Sequence, residues 1–463
     1  MSDALNVSAV WFRFVRVMQY ISNGKVCSIM EKQNRREFLK RSSVFLGALA
    51  APTIVPSSVI GRPGRILPSD KIVMGCIGVG WQGTDNMKSF LSEHDCQVVA
   101  VCDLDQEHLE NARSIVNKRY GNSDCAVYHD FRELLARQDI DAVSLGLPDH
   151  WHAIPVIAAA KAGKDCYGEK PFAHTLREGR AMVEALKRYG RVWQTGSWQR
   201  SQYHFRFACE LVRNGCIGKV QTAEVGLPAG HSDFAGSFGR DTYKAPPKEL
   251  DYDFWLGPAP YSPYCESRVH KNWRWVLDYG GGQLTDWIGH HGDIGHWGLD
   301  LEYAAPVEVE GYGEYPKQGV YDTATRYRVT AQYGNGVTIT YAGGHDDIRS
   351  GTKWIGEHGW VWVDRGGIDA YPKSLLSTRF GANDVHLYKS TGHWRNFLDC
   401  IKSRKLTIAP AEVAHRSVTP GHLGQISMLL GRKLRFDPDS EQILNDPTAN
   451  AMLGNAMRAP WKI

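Results

Sequence analysis

No apolar run in this 463-residue chain approaches the about 20 residues that a helix needs to cross a bilayer. No C-x-x-C pair and no H-E-x-x-H motif occurs, so the sequence offers no zinc cluster or metalloprotease helix. Positive charge is also scarce where a nucleic-acid binder would need it. Lys and Arg number 54 against 50 Asp and Glu, but residues 1–65 hold ten basic side chains and only three acidic ones. The remainder carries 44 basic and 47 acidic residues, a mildly acidic body without the field that nucleic acid requires. With 43% apolar and 22% charged residues, that body is neither disordered nor of low complexity, and its length suits two domains.

The basic leader reads as an address. Asn34-Arg35-Arg36-Glu37-Phe38-Leu39-Lys40 precedes a short apolar run at 44–51, a small-residue Ala48-Leu49-Ala50 site, and Pro52 and Pro56. A charged region, a brief apolar region and a small-residue site make an export signal, and the paired arginines resemble the twin-arginine type. Residues 1–66 are therefore expected to be a leader and linker, read by the twin-arginine export machinery and directing the chain to the periplasm with no stable membrane span. Met30 stands five residues before Arg35, which makes residues 1–29 an over-long start; otherwise Trp11, Phe12, Phe14 and Val15 would form a short membrane-surface helix. The twin-arginine route carries proteins already folded, often with a cofactor inside. Cys76, Cys102 and Cys166 fall in predicted core strands and read as buried free thiols.

From Lys71 onward, strands alternate with helices. An apolar run at 72–77 leads into Gly78-Val79-Gly80-Trp81-Gln82-Gly83, which opens a helical stretch, and a second apolar run at 97–102 ends in Asp103, twenty residues after Gly83. G-x-G-x-x-G after a strand, opening a helix and followed by such an acid, is the context of a dinucleotide site. Gly78 makes the tight turn, Gly80 lets backbone approach a pyrophosphate, and Gly83 packs helix on strand. Asp103 would accept from ribose hydroxyls and repel a 2′-phosphate, and Leu104 follows it with no arginine, so NAD is favoured over NADP.

Further units are predicted as helix 106–118, strand 126–128, helix 131–137, strand 142–147, helix 153–162, strand 165–167, helix 176–189 and strand 192–195. This alternation means a doubly wound parallel sheet with ligands at the carboxyl ends of its strands. Those ends carry Pro148-Asp149-His150-Trp151-His152 and Gly168-Glu169-Lys170-Pro171, so Pro148, His152, Glu169 and Lys170 join the glycine loop, Trp81 and Gln82 as cofactor-side candidates.

The glycine loop with Asp103, the Glu169-Lys170-Pro171 tripeptide and Asp286-Trp287-Ile288-Gly289-His290 together resemble the glucose–fructose oxidoreductase / inositol dehydrogenase / MocA family of nicotinamide-dependent sugar oxidoreductases. The likeness runs over most of the chain after the leader, including Gly280-Gly281-Gly282 and the helix at His393-Trp394-Arg395. It implies an α/β fold with an N-terminal Rossmann domain at 67–197, a substrate-binding and oligomerising α/β domain with a large open, mainly antiparallel sheet at 198–440, and a tail at 441–463. Segments 336–341 and 360–363 suit that open sheet. The resemblance also implies His290 as proton acceptor, Asp286 as its partner, Lys170 as a cation for the substrate hydroxyl, and a homo-oligomer.

The residues are consistent with this chemistry. Oxidising a sugar hydroxyl needs a base for the O–H proton while hydride leaves carbon, and histidine titrates near neutrality. Asp286 and His290 stand i and i+4, so on one helix they share a face. Gly289, Gly292, Gly295 and Gly298 recur every third residue, which implies close approach of another backbone or of cofactor. Asp286, His290, His291, Asp293 and His296 could ligate a metal by type, but no metal motif accompanies them and no metal is expected; Asp293 and His296 are assigned to the pocket wall or to backbone caps. Tryptophans cluster at 193, 198, 255, 273, 275, 287 and 297. Trp198-Gln199-Arg200 and the segment around Trp273, with Asp293, are the candidate substrate wall. The proline-rich 245–264 excursion is expected to reach a neighbouring subunit.

Three functions fit this reading. One is hydride transfer between a sugar or glycoside hydroxyl and a tightly bound cofactor. The second is an NAD-dependent glycosidase or lyase that oxidises, eliminates and re-reduces, and the third is a non-catalytic sugar sensor.

Overall fold

The computed structural model describes residues 70–463, and the residues read as an export signal, among them Arg35 and Arg36, lie outside the described residues. Strands β1 (Ile72–Ile77), β2 (Cys96–Cys102), β3 (Ala126–Tyr128), β4 (Ala142–Leu145), β5 (Asp165–Gly168) and β6 (Trp193–Thr195) form a parallel sheet in the order β3-β2-β1-β4-β5-β6. Every residue of β4 and β5 is buried, as expected where helices cover both faces. Local chemistry sets the helices. The Asp105 side chain accepts from the Glu107 and His108 amides to start helix Gln106–Tyr120, and Gly121, at φ 68°, ends it. Thr175 and Glu178 close a capping box on helix Leu176–Arg188. Strand order reverses between β1 and β4, so a crevice opens at their carboxyl ends.

A second sheet holds β7 (Val220–Leu227), β8 (Pro306–Glu314), β9 (Arg326–Tyr333), β10 (Thr338–Gly343), β11 (Gly351–Gly356), β12 (Gly359–Asp364), β13 (Gly367–Tyr371), β14 (Leu434–Asp437) and β15 (Gln442–Ile443). Its order is β13-β12-β11-β7-β10-β9-β8-β14-β15, with only β7 and β10 parallel. The segments read as 336–341 and 360–363 fall on β10 and β12. Alternate residues of β9 are buried, the pattern of a sheet covered on one face only. Helices Tyr203–Arg213, Asp293–Leu299 and Ala411–Leu430 pack on this sheet. All nine cysteines among the described residues are unpaired.

Two expectations are corrected here. The stretch after Gly280-Gly281-Gly282 is not one regular helix: it runs α from Gly282–Trp287, π over Ile288–Gly292 and α again over Asp293–Leu299. The π turn widens the register between Asp286 and His290 and sits where such turns often occur, beside a cavity. The recurrent glycines do admit close neighbours, but these are side chains. A Cβ at Gly289 would lie 3.0 Å from the Lys170 Cβ, and one at Gly298 would lie 2.6 Å from the Trp354 ring. The 245–264 excursion packs on its own chain: Gln106 N donates to Glu249 O and Asp251 N to Leu104 O, and Leu250, Phe254 and Trp255 roof the crevice.

Candidate active site

A cavity of about 410 Å³ runs along the carboxyl ends of the parallel strands and under that roof. The glycine loop lines one end. Gly78 has φ +74°, a conformation that a side chain resists, and a Cβ there would stand 2.5 Å from Gly146 O. At Gly83 a Cβ would meet Gly78 O at 1.8 Å, so the helix starting at Trp81 presses on the loop itself. Gly80, Trp81 and Gln82 face the cavity, whereas Gly83 lies behind the loop. Asp103, at the end of β2, accepts from Val79 N at 2.7 Å and from Asp105 N at 2.9 Å. These bonds fix the carboxylate and leave it further lone pairs for a ligand.

The other end gathers Pro148, Asp149, Glu169, Lys170, Trp198, Trp273, Arg274, Asp286, Trp287, His290 and Arg365. Lys170 Nζ donates to Asp286 Oδ1 at 2.8 Å, and Arg274 Nε reaches the same oxygen at 3.3 Å. Burial pushes the Asp286 carboxyl up, but the two cations outweigh it and hold the group below its usual range, as a carboxylate. The expected Asp286–His290 hydrogen bond is therefore absent: the carboxylate is engaged by the cations, and the π turn separates the pair. No hydrogen bond within the described residues reaches either His290 ring nitrogen, and Nδ1 is shut off from solvent. Burial, then Lys170 and Arg365, hold the imidazole well below its ordinary pKa and hence neutral. Glu169 accepts from Asn86 Nδ2 at 2.8 Å, and burial raises its carboxyl.

Besides Gly83, five candidate residues do not line this cavity. His152 is buried, its ring nitrogens against Pro171 O and Leu147 O, where it ties the two loops together. Arg200 pairs with Asp293 at 2.9 Å and Glu302 at 2.6 Å behind the wall, so Arg200 and Asp293 form a buried ion pair and not a substrate surface. Gln199, with its amide turned to satisfy both neighbours, donates to His290 O and accepts from Arg365 Nε, each at 3.1 Å. His296, assigned to the wall or a cap, faces Tyr333 and Tyr341 hydroxyls at 2.6 and 3.1 Å.

Residues 72–197 match the family description "Oxidoreductase family, NAD-binding Rossmann fold", and residues 206–463 match "Oxidoreductase family, C-terminal alpha/beta domain". The chain belongs to the Gfo/Idh/MocA oxidoreductase family. This Gfo/Idh/MocA chain is 30% identical over 144 residues to a 2,7-anhydro-N-acetylneuraminate hydratase of Mediterraneibacter gnavus, covering 31% of the chain and 36% of that protein. It is 30% identical over 213 residues to a glycosyl hydrolase family 109 protein of a Shewanella species, covering 42% of the chain and 46% of that protein. The chain thus spans less than half the length of these curated relatives. Among solved structures, the WlbA dehydrogenase of Bordetella pertussis, in complex with NADH and UDP-GlcNAcA, shares the fold at a TM-score of 0.60 and 17% identity, over 79% of this chain and 99% of that one.

The residues present fit a nicotinamide dinucleotide. The glycine wall is a cradle that side chains would fill, since even at Gly80 a Cβ would come within 3.3 Å of His108. At its far end stands an acid suited to ribose hydroxyls. Two features of this Gfo/Idh/MocA site were not singled out in the sequence. His108 and His270 stand beside Asp103 and Asp105, each 3.8 Å from its carboxylate. Arg365, in the turn between β12 and β13, lies 4.7 Å from the Trp198 ring and 4.4 Å from the Trp287 ring. Nothing in a Gly- and Asp-bounded turn signals that placement; only the sheet order brings it there.

Proposed function

We propose that this protein transfers hydride between a hydroxyl of a sugar or glycoside and a tightly held NAD. The observation carrying this reading is the neutral, unpartnered His290 imidazole in the same cavity wall as the Lys170–Asp286 pair. When bound, the nicotinamide supplies the hydride acceptor. The glycine loop would hold the pyrophosphate, and Asp103 the adenosine ribose, where a 2′-phosphate would be repelled.

The chain's own residues divide the remaining work. His290 accepts the hydroxyl proton at an imidazole nitrogen, which is available because the ring is uncharged. Lys170 keeps one ammonium hydrogen on Asp286 and has two more to donate to the substrate oxygen, favouring alkoxide-like charge. Asp286 is the positioning anchor for Lys170 and Arg274. Trp198, Trp273 and Trp287 offer faces for the apolar side of a sugar ring.

The test is spectroscopic. The purified protein is expected to contain NAD by mass spectrometry, and one member of a sugar and glycoside panel should raise nicotinamide absorbance. Bound cofactor with no absorbance change or product for any member would replace this reading with the sensor. The hydratase and glycosyl hydrolase family 109 relatives favour a second reading, redox-neutral cleavage of a glycoside through transient oxidation. Sugar release without an added electron acceptor supports it over plain dehydrogenation. Export in the folded state and homo-oligomerisation belong to the same proposal. Cell fractionation of an Arg35→Lys/Arg36→Lys variant and light scattering of the purified protein test them.

A further inference from the structure

Asp149 opens the turn Asp149–Trp151 just after β4 and lines the cavity with only 3% of its surface exposed. Its turn is locked on several sides. His150 N donates to Tyr279 O at 3.2 Å, the His150 ring stands 3.1 Å from Trp255 O, and Trp151 Nε1 donates to that carbonyl at 2.8 Å. Gly280 leaves the slot in which the carboxyl sits: a Cβ there would lie 3.2 Å from Asp149 Oδ2 and 2.9 Å from the Trp273 ring. Among the described residues no hydrogen bond or ion pair reaches this carboxyl, although Lys170 and Arg274 line the same cavity; both are committed to Asp286.

At this end of the cavity Asp149 and Asp286 are carboxyls in opposite states, while Glu169, also raised by burial, is hydrogen-bonded to Asn86. Asp286 has both cations and stays charged. For Asp149, burial first and the Asp286 charge second, with a smaller push from Glu178, outweigh Arg274 and Lys170 and raise the group well above the carboxylate range. Two carboxyls pushed apart by their surroundings take different proton roles, and the neutral one has an O–H to donate. Dehydrogenation of a hydroxyl uses a base and leaves such an acid without a task. Cleavage of a glycoside gives it one.

We infer that Asp149 is the proton donor to the departing glycosidic oxygen, which makes the substrate class a glycoside; this rests on the redox-neutral reading above. After the ring hydroxyl has been oxidised and its proton passed from His290 to solvent, His290 takes the proton from the carbon next to the new carbonyl. That electron pair forms the C=C bond, and the C–O bond to the aglycone breaks with its electrons going to oxygen, which receives the Asp149 proton. Water then adds to the alkene: its oxygen bonds the former anomeric carbon, one of its protons returns to Asp149, and His290 returns its proton to the neighbouring carbon. The hydride removed at the start reduces the carbonyl, with a proton from solvent, so the net change is hydrolysis.

The experiment compares aglycone release in the first turnover, before water adds, for the holoenzyme and D149N on alkyl glycosides, whose leaving oxygen needs a proton, and on para-nitrophenyl glycosides, whose leaving phenolate does not. D149N is expected to lose about 10²–10⁴-fold on alkyl glycosides and no more than about tenfold on nitrophenyl ones. Gly280→Ala, which crowds the carboxyl without removing it, should be selective in the same sense. Infrared spectra of the wild type at neutral pH should contain a protonated-carboxyl band that D149N lacks. Equal losses on both substrates, no loss on either, or absence of the band overturns the assignment. A wild type that oxidises free sugars but cleaves no glycoside overturns it and leaves the oxidoreductase reading standing; a wild type that does neither removes both.

Discussion

Lys170 and Arg274 share a single oxygen of Asp286, Nζ at 2.8 Å and Nε at 3.3 Å, in a wall where both the lysine and aspartate side chains are only 12% exposed. Removing one member of so buried a group strands the other charges. Asp286→Ala should therefore cost about 3–5 kcal/mol of stability, read by urea unfolding. Lys170→Met leaves Asp286 to Arg274 alone and removes the proposed donor to substrate oxygen, so turnover should fall about 10²–10⁴-fold while bound NAD, measured by mass spectrometry, is retained. Loss of cofactor in step with activity would mean that Lys170 serves binding instead.

The glycine loop gives a separate prediction, because its contacts are backbone on backbone. A methyl group at Gly83 would sit 1.8 Å from Gly78 O, with no flexible side chain to yield, so Gly83→Ala should displace the helix from the loop and abolish NAD retention. Asp103→Ala removes the acceptor of the Val79 and Asp105 amides as well as the proposed ribose contact. Affinity for NAD should drop at least about tenfold, the equivalent of one hydrogen bond to a charged group, and discrimination against NADP should shrink. Fluorescence titration of cofactor-stripped protein with each dinucleotide measures both.

Much of this was legible because it is local. The six parallel strands follow from short apolar runs punctuated by Gly and Asp, and the glycine loop declares itself by spacing to Asp103. What was not legible depends on distant partners. Arg200 and Trp198 lie two residues apart, yet one closes on Asp293 and Glu302 in the core while the other faces the cavity. A period of i, i+4 placed Asp286 beside His290, but two cations from remote loops took the carboxylate, and a π turn, for which sequence has no simple signature, changed the register. Arg365 reaches the site only because β12 and β13 lie at the far end of the second sheet's order.

Buried neutral histidines make stability depend on pH in a definite direction. Burial holds His150, His291, His296 and His422 at about 3 and His152, His174 and His393 at about 4. Unfolding returns each to its ordinary value near 6.5, so the unfolded chain binds more protons as pH falls below that value. Their contribution is intact above 6.5 and declines below it, each by on the order of 1 kcal/mol per pH unit down to its folded value. Buried carboxyls act the other way: burial raises Glu178 to about 8 and lifts Asp149 and Glu169, so the folded chain takes up protons there as pH falls. The lowered histidines, with His290 among them, are the more numerous set. Urea midpoints should therefore fall steeply between about pH 6 and pH 5, and a flat profile across that range would contradict the burial of these rings.

Arg365 joins two aromatic faces of the cavity to the base. Its guanidinium lies 4.7 Å from the Trp198 ring and 4.4 Å from Trp287, and its Nε donates to the Gln199 amide oxygen, whose nitrogen in turn holds His290 O. A lysine keeps the charge but neither the planar stacking nor the Nε donor, so Gln199 loses a partner and both indoles gain freedom. Cation–π contacts are worth about 1–2 kcal/mol each when desolvated, so Arg365→Lys should raise KM for sugar or glycoside roughly five- to thirty-fold. The His290 nitrogen proposed to accept the proton is untouched, so kcat should change much less. Steady-state kinetics at saturating NAD separate the two constants. A fall confined to kcat would assign Arg365 to the reacting atoms and not to the sugar-binding wall.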